Sequence, residues 1–506
     1  MNHQDLPATG RIAEAPPIAA ASGVRALLAL ARAAQPPWAA RPVSERLRVI
    51  RRLRGAIAAQ PSRIAEEGYG RGRTPVETLA YEIVPLLDAC RFLERRAEAL
   101  LRPQRLGRRG RPAWLFAHDA EIRREPKGVV LVIAPDNYPL FLPGVQLLQA
   151  LVAGNAVLIK PAPGCSGPVQ VMRDMLAEVG LPDELCQVLG ETPEEARQAI
   201  AAGVDHLVLT GSAPTGRAVL AELAPQLTPA TMELSGSDAV FVLPGADLDL
   251  TADALTFGLR LNAGATCIAP RRVFVAREHA AALEDGLTRR LEGGRPLPVT
   301  RQASDRLQAL LDDARERGGR VVPGCPEAGE GLVRPTAVFD ADPHALLLQA
   351  DIFAPVLGVV PVQEPDEALA LDALCPYALG ASVFGPPEAA RRVAEKVRAG
   401  SVVVNDLVVP TADPRLSFGG RGRSGFGVTR GAEGLLEMTC LKTISVRRGR
   451  FRPHYEPLPA KDGAALIRAW LQAAHGRGAG TRLRGLGRLV RGLARLSRRR
   501  RRDNAS

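Results

Sequence analysis

The sequence has few cysteines, and they are not grouped. The seven, at positions 90, 165, 186, 267, 325, 375 and 440 of 506, are scattered, odd in number and free of any C-x-x-C pairing. This excludes a zinc-ribbon reading and a disulfide framework, so no metal site is expected and a reduced, cytoplasmic setting is. No secretory leader is expected either: Met1-Asn2-His3-Gln4-Asp5 has no basic region, and the apolar run near Leu27 to Leu30 is broken by Arg25 and Arg32. The longest uncharged stretch, 137 to 159, approaches membrane-spanning length but contains Pro139, Pro143, Gln146, Gln149 and Asn155. It reads as a loop, a buried helix and a strand. No repeat of solenoid length is found.

A hydrophobic share of 46% argues against global disorder, and the length allows two or three domains with a large core. The net charge of +12 is not spread evenly. Residues 477 to 503 hold eleven Arg and one Asp, which supplies ten of the twelve charges and leaves the body nearly neutral.

Residues 1 to 22 are rich in Ala and Pro and read as a mobile arm. Apolar residues then recur at helical spacing over Val24 to Leu30, Leu47 to Ile57 and Ile83 to Phe92. Arg102 to Pro112 reads as a basic connection and Trp114 to Ile122 as extended chain. From Gly128 onward, β-rich runs alternate with helical ones. Val129 to Ile133, Ala156 to Ile159 and His206 to Leu209 are apolar on both faces, as buried parallel strands are, and their separations leave room for crossover helices. The fold class is α/β with a doubly wound sheet suited to a dinucleotide. After Glu233 the alternation resumes at Ala239 to Leu243, Val273 to Ala276, Leu357 to Val362, Ala381 to Phe384 and Ser401 to Val404, a second α/β domain.

Chemistry concentrates in Asn262-Ala263-Gly264-Ala265-Thr266-Cys267, thirty-four residues after the carboxylate of Met232-Glu233-Leu234-Ser235-Gly236. A lone cysteine is usually a buried thiol, and a lone glutamate often a structural one that caps backbone amides. Together they suggest a thiol nucleophile with a separate general base. Asn137, between prolines, is by itself a turn residue. Gly211 and Gly216 bracket a strand-to-helix turn where Ser212 meets a helix N-terminus, a weak phosphate signal alone. Phe353 in isolation is as consistent with core.

These segments resemble the aldehyde dehydrogenase superfamily in order and content. The matching motifs are Ala134-Pro135-Asp136-Asn137-Tyr138-Pro139, Gly154 to Pro161, Thr210-Gly211-Ser212, Glu233-Leu234-x-Gly236, Asn262-x-Gly264-x-x-Cys267, Phe353-Ala354-Pro355-Val356, and Phe418-Gly419-Gly420 with Ser424-Gly425, across about residues 40 to 445. The resemblance implies a Rossmann-type cofactor domain over 23–232 with an oligomerisation hairpin at about 103–125. A catalytic domain over 233–415, a return segment over 416–446 and a C-terminal extension over 447–506 would follow. It also implies Cys267 as nucleophile, Glu233 as base and Asn137 as oxyanion donor. Ala134, Pro135, Lys160, Gly211, Ser212, Gly216, Leu234, Asp351 and Phe353 would hold NAD or NADP. The implied reaction takes an aldehyde to a carboxylic acid through a thiohemiacetal and a thioester, in a homodimer or homotetramer. A CoA-acylating variant and a catalytically silent scaffold remain alternatives; Glu233 argues against the first and the retained Cys267, Glu233, Asn137 and Lys160 against the second.

Several positions depart from the family pattern. The carboxylate that commonly meets the adenosine ribose is replaced by Pro163, which leaves NAD against NADP open, and Asp351 stands for a glutamate. A lysine and a glutamate that often form a proton relay are Gln146 and Thr429, so Glu233 is expected to exchange protons by another route. Ala265 and Asp136 alter the substrate entrance.

Placed on a helix, Leu483, Leu486, Leu489, Val490, Leu493 and Leu496 share one face of residues 481–499, and Arg484, Arg488, Arg491, Arg495 and Arg498 the other. Such a segment suits an anionic membrane surface at the inner face of a membrane, and with it an apolar, long-chain or isoprenoid-like aldehyde. Gly485, Gly487 and Gly492 weaken the helix and favour a solvated, disordered tail instead; packing on a neighbouring subunit is a third reading. Nucleic acid is disfavoured, because the tail has no interleaved aromatics and the body no basic bias.

Overall fold

The computed structural model describes residues 22–66, 73–115, 117–323, 331–450, 455 and 460–503. The expected N-terminal arm lies outside them but for its last residue. The chain divides into two compact units, one running to Gln104 and over Ile122–Thr443, the other Arg105–Glu121 with the residues from Ile444 on.

In the first unit, Val129–Ile133 (β1) is an unbroken apolar run buried on both faces. Ala156–Lys160 (β2), Cys186–Val188 (β3), His206–Gly211 (β4) and Ala230–Leu234 (β5) join it in parallel. Their order is β3-β2-β1-β4-β5, so the chain builds outward from β1 on one side and then on the other. That reversal opens a crevice at the carboxyl ends of β1 and β4, the place where such sheets bind ligands. The uncharged 137–159 stretch becomes a loop, the fully buried helix Phe141–Ala153 (α1) and β2, as its composition predicts. Ala213–Leu223 (α2) follows β4, with Ser212 as its N-cap accepting from Thr215 N at 3.3 Å.

The second sheet contains Asp238–Val242 (β6), Pro270–Ala276 (β7), Arg320–Val322 (β8), Thr336–Phe339 (β9), Val356–Val362 (β10), Gly380–Phe384 (β11) and Ser401–Val404 (β12), in the order β8-β9-β10-β7-β6-β11-β12. Only β8 runs antiparallel. Alternate residues feed two cores: Phe241, Phe274 and Val360 enter one face, and Val240, Val273 and Val359 the other. The helix Arg301–Glu316 (α3) belongs to this half. Finally Gly425–Phe426 (β13) returns to the first sheet and pairs antiparallel with β5, setting Gly425 opposite Glu233.

Two sequence expectations change. Trp114 to Ile122 is not extended throughout: a 3-10 turn occupies Ala113–Leu115, and a strand follows over His118–Pro126. In the second unit the tail is helical, with Ala460–His475 (α4) packed against Ala479–Asp503 (α5). Two of the glycines that weaken a lone helix make this contact. A Cβ on Gly485 would fall 2.4 Å from Ala473 N, and one on Gly492 2.6 Å from Leu466 Cδ2, whereas Gly487 has nothing within 4 Å. Among the described residues no helix is long and apolar enough to cross a membrane.

Candidate active site

The loop before β7 is built to present Cys267. After Arg260 the chain passes through Asn262 and Ala263 in the left-handed region, φ 50° and 54°, and Gly264 at φ 75°. A Cβ on Gly264 would lie 2.6 Å from the Ala354 carbonyl carbon, so glycine alone fits. Arg271, buried, donates to the carbonyls of Gly264, Ala354 and Val356 and fastens the loop to the start of β10.

Cys267 and Glu233 stand where two cavities meet. One, of about 580 Å³, lies at the crevice of the first sheet and is lined by Pro135, Gly211, Ser212, Leu234, Asp351 and Phe353, with Asn137 and the α3 cation Arg306. The other, of about 330 Å³, is walled by Tyr81, Phe141, Leu142, Phe257, Ile268 and Phe418. Cys267 and Glu233 are the two residues common to both linings.

Burial pushes the Cys267 thiol well above its ordinary range, and the carboxylates of Glu233 and Asp238 add to the rise; Arg430 and the cysteine's own amide oppose it. Burial likewise raises Glu233, against the Arg430 charge and a hydrogen bond from Thr429. That bond runs from Thr429 Oγ1 to Oε2 at 2.9 Å, while Oε1 is buried without a partner. Gln146 donates to Thr210 Oγ1 at 3.0 Å and has no hydrogen bond to Glu233, so the two positions that depart from the relay pattern part company: Thr429 touches Glu233 and Gln146 does not.

Asn137 Nδ2 donates to Ala265 O at 2.9 Å, and its Oδ1 accepts from Tyr138 N at 3.0 Å. One amide hydrogen is thus committed to the thiol loop, and Asn137 lines the larger cavity. Asn262 Nδ2 ties the same two segments by donating to Asn137 O at 2.9 Å. Beneath them Arg73 donates to Asn137 O, Asn262 Oδ1 and Glu82, a pair almost wholly buried, and Glu82 accepts the Leu140 and Phe141 amides at the start of α1.

The polar groups of the larger cavity suit a dinucleotide: the amide end of α2 with Ser212 for phosphate oxygens, the cation Arg306, and Asp351, held by Ser235, as a hydroxyl acceptor. Gly216 lies beyond that lining; its Cβ would meet Leu234 at 2.8 Å, so it lets α2 pack on β5. Ala134 and Lys160 are outside it as well. Ala134 N bonds Lys160 O at 2.9 Å, and the Lys160 ammonium faces the carboxylates of Glu191 and Glu195.

Sequence reasoning did not single out Arg73, Glu82, Arg306 or Arg430 as site residues. The first three carry no local signal, since an isolated arginine or glutamate in a loop or on a helix reads as surface. Arg430 had one, being adjacent to the departure at Thr429. Its backbone, φ 60° and ψ 174°, lies where glycine belongs, and Val408 at φ 59° and ψ −61° in the same cavity wall is also strained. Each such residue costs about 1–3 kcal/mol.

Comparison with known proteins places these features in one family. The profile of the aldehyde dehydrogenase family matches residues 4–444. The 4,4'-diapolycopene aldehyde oxidase of Methylomonas sp. is 31% identical over 467 residues, which cover 90% of this chain and 88% of that one. Among solved structures, a Mycobacterium tuberculosis aldehyde dehydrogenase complexed with NAD+ superposes with a TM-score of 0.77 at 26% identity, over 86% of this chain and 92% of the other. An NADP-dependent glyceraldehyde-3-phosphate dehydrogenase from Bacillus halodurans C-125, complexed with NADP, gives 0.79 at 27%, over 85% and 92%.

Proposed function

The chain belongs to the aldehyde dehydrogenase family, and from that premise we propose that it oxidises an apolar, long-chain or isoprenoid-like aldehyde to its carboxylic acid with NAD or NADP. The observation that carries this reading is the pair Cys267 and Glu233 on the common wall of a polar and an apolar cavity.

In the proposed reaction the Cys267 thiol loses its proton to solvent, and Sγ attacks the aldehyde carbon while the carbonyl π pair moves onto oxygen, forming a thiohemiacetal anion. The uncommitted Asn137 amide hydrogen donates to the oxyanion as it develops, a contact that the ground-state carbonyl does not draw as strongly. Gly211, Ser212, Asp351 and Phe353 would hold a nicotinamide dinucleotide, which would accept the hydride lost from the thiohemiacetal carbon as its C–H bond breaks and the thioester carbonyl forms. Glu233 then takes a proton from water as that water attacks the thioester carbon, and the Cys267 thiolate leaves. Residues 23–232 would serve the cofactor and 233–415 the thiol chemistry.

The apolar substrate is supported by the cavity walls and by exposed Val84, Phe257 and Val409 at their edge, where Asp88 would repel an anionic aldehyde. The Methylomonas sp. relative, named for an apolar polyene aldehyde, points the same way. The second unit supports an anionic lipid surface as the place where such an aldehyde is met: Leu483, Leu486, Val490 and Leu493 of α5 are exposed together, with arginines on the other face. A homodimer or homotetramer is the assembly we expect.

The test is formation of reduced nicotinamide from octanal with NAD or NADP, in the absence of CoA and with Cys267→Ser as control. Turnover in the native enzyme that vanishes in the control supports the acid-forming reading. A strict need for CoA moves the assignment to the acylating reaction, and binding without turnover moves it to a scaffold.

A further inference from the structure

Arg430 is the one feature of the apolar cavity that its chemistry does not explain. A guanidinium is buried in a wall of aromatic and aliphatic side chains, 6% exposed, on a backbone conformation that favours glycine. Its Cζ stands 4.1 Å from the Phe418 ring centre, and Nη1 donates to Thr411 O at 2.8 Å. Its Nε is buried without a partner. Glu233 and Cys267 are the opposing charges that act on it, and it is adjacent in sequence to Thr429, which donates to Glu233. Strain, burial and an unmade hydrogen bond are all unfavourable, so a compensating interaction is required.

We propose that Arg430 is a positioning residue for the reaction: fixed by Phe418 and Thr411, it supplies the counter-charge under which Glu233 and Cys267 ionise in a cavity whose walls are mostly apolar. It touches neither reacting atom and works through the two that do. With Thr429 on one carboxylate oxygen and Arg430 acting through space, the rise that burial imposes on Glu233 is opposed without the lysine and glutamate relay that Gln146 and Thr429 replace. The other groups facing this pair act against ionisation or are already matched. Asp238 carries charge of the wrong sign, Tyr138 is hydrogen-bonded to Thr266 at 2.8 Å, and Arg73 is paired with Glu82. An alternative, that Arg430 binds a carboxylate on the substrate, fits poorly with the apolar edge and Asp88.

The inference rests on the aldehyde-oxidising reading, and its test separates the two. Native enzyme, Arg430→Gln and Arg430→Lys are compared for the pH profile of octanal turnover and for the pH profile of Cys267 alkylation by iodoacetamide, with circular dichroism as a check on folding. Removing the cation should displace the acid limb of turnover and the alkylation midpoint upward by on the order of one pH unit, and Arg430→Lys should restore most of both. Alkylation needs no turnover, so a displaced alkylation profile in an enzyme inactive on octanal keeps the role of Arg430 and rejects the substrate. Unmoved profiles in a folded Arg430→Gln, or a rise in KM confined to aldehydes bearing a second carboxylate, would overturn the proposal. So would a lysine variant that behaves like the glutamine one.

Discussion

Thr429 Oγ1 lies 2.9 Å from Glu233 Oε2 and is, among the described residues, the one hydrogen-bond donor on that carboxylate. Removing it in Thr429→Val leaves a buried carboxylate with no hydrogen bond. The base must lose its proton to act, and losing a donor to its charged form raises the pH at which it does so. A bond of this kind contributes about 1.5–3 kcal/mol. The acid limb of the kcat profile should therefore move upward, with kcat near neutrality reduced about tenfold or more, while Thr429→Ser stays close to native. An unmoved limb in the valine variant would show that Thr429 only packs.

Glu233 raises the Cys267 thiol when it is ionised. Glu233→Gln removes that charge, so above the ionisation range of Glu233 the variant should alkylate faster with iodoacetamide than the native enzyme at the same pH, even though its turnover is lost. Slower alkylation would mean that Glu233 withdraws the thiol proton directly, and the electrostatic account would fail.

The buried Arg73 and Glu82 pair supports two loops at once. Arg73→Met or Glu82→Gln alone strands a buried partner, a loss of about 3–5 kcal/mol in chemical denaturation. The double variant Arg73→Met with Glu82→Leu should recover much of that stability, yet kcat should stay low, because Asn137 and Asn262 lose their shared donor. Recovery of both would reduce the pair to a packing element.

Near Lys160, the Glu191 carboxylate accepts the amides of Gly164 at 2.7 Å and Ser166 at 3.0 Å, where a helix begins at Ser166. A 2'-phosphate on the adenosine ribose would meet this negative charge where Pro163 offers no carboxylate of its own. NAD should be preferred over NADP in kcat/KM by on the order of tenfold, and Glu191→Gln should narrow the gap. A native preference for NADP would refute this placement.

In the α4–α5 hairpin the glycines should separate by position. Gly485→Ala forces a Cβ against the Ala473 amide and should loosen the pair, whereas Gly487→Ala, with open space around it, should tighten α5 by about 0.8–1 kcal/mol. Hydrogen exchange over residues 460–503 reads both, and identical responses would mean that the close approach does not govern packing.

Much of this architecture is legible in local pattern. Val129–Ile133 announces a central strand because both faces are apolar, and the uncharged 137–159 stretch resolves into helix and strand through its prolines and amides. Cys267, Glu233 and Asn137 are legible because each lies in a contiguous motif, and they do converge. What local pattern does not carry is contact over long separation. Arg73 reaches Asn262 across 189 residues, and Thr429 reaches Glu233 across 196, so neither partner marks the other in sequence. The tail glycines mislead for the same reason: helix propensity treats Gly485 as a defect, and only the presence of α4 makes it a fitting surface.

Because the two linings have only Cys267 and Glu233 in common, a dinucleotide and an aldehyde placed as proposed would occupy separate volumes that meet at those two residues. Neither ligand has to vacate a passage for the other, so steady-state kinetics are not bound by these walls to one compulsory sequence of arrivals. In the proposed arrangement an acid product would depart past Phe257 and Val409 with the spent nucleotide still seated.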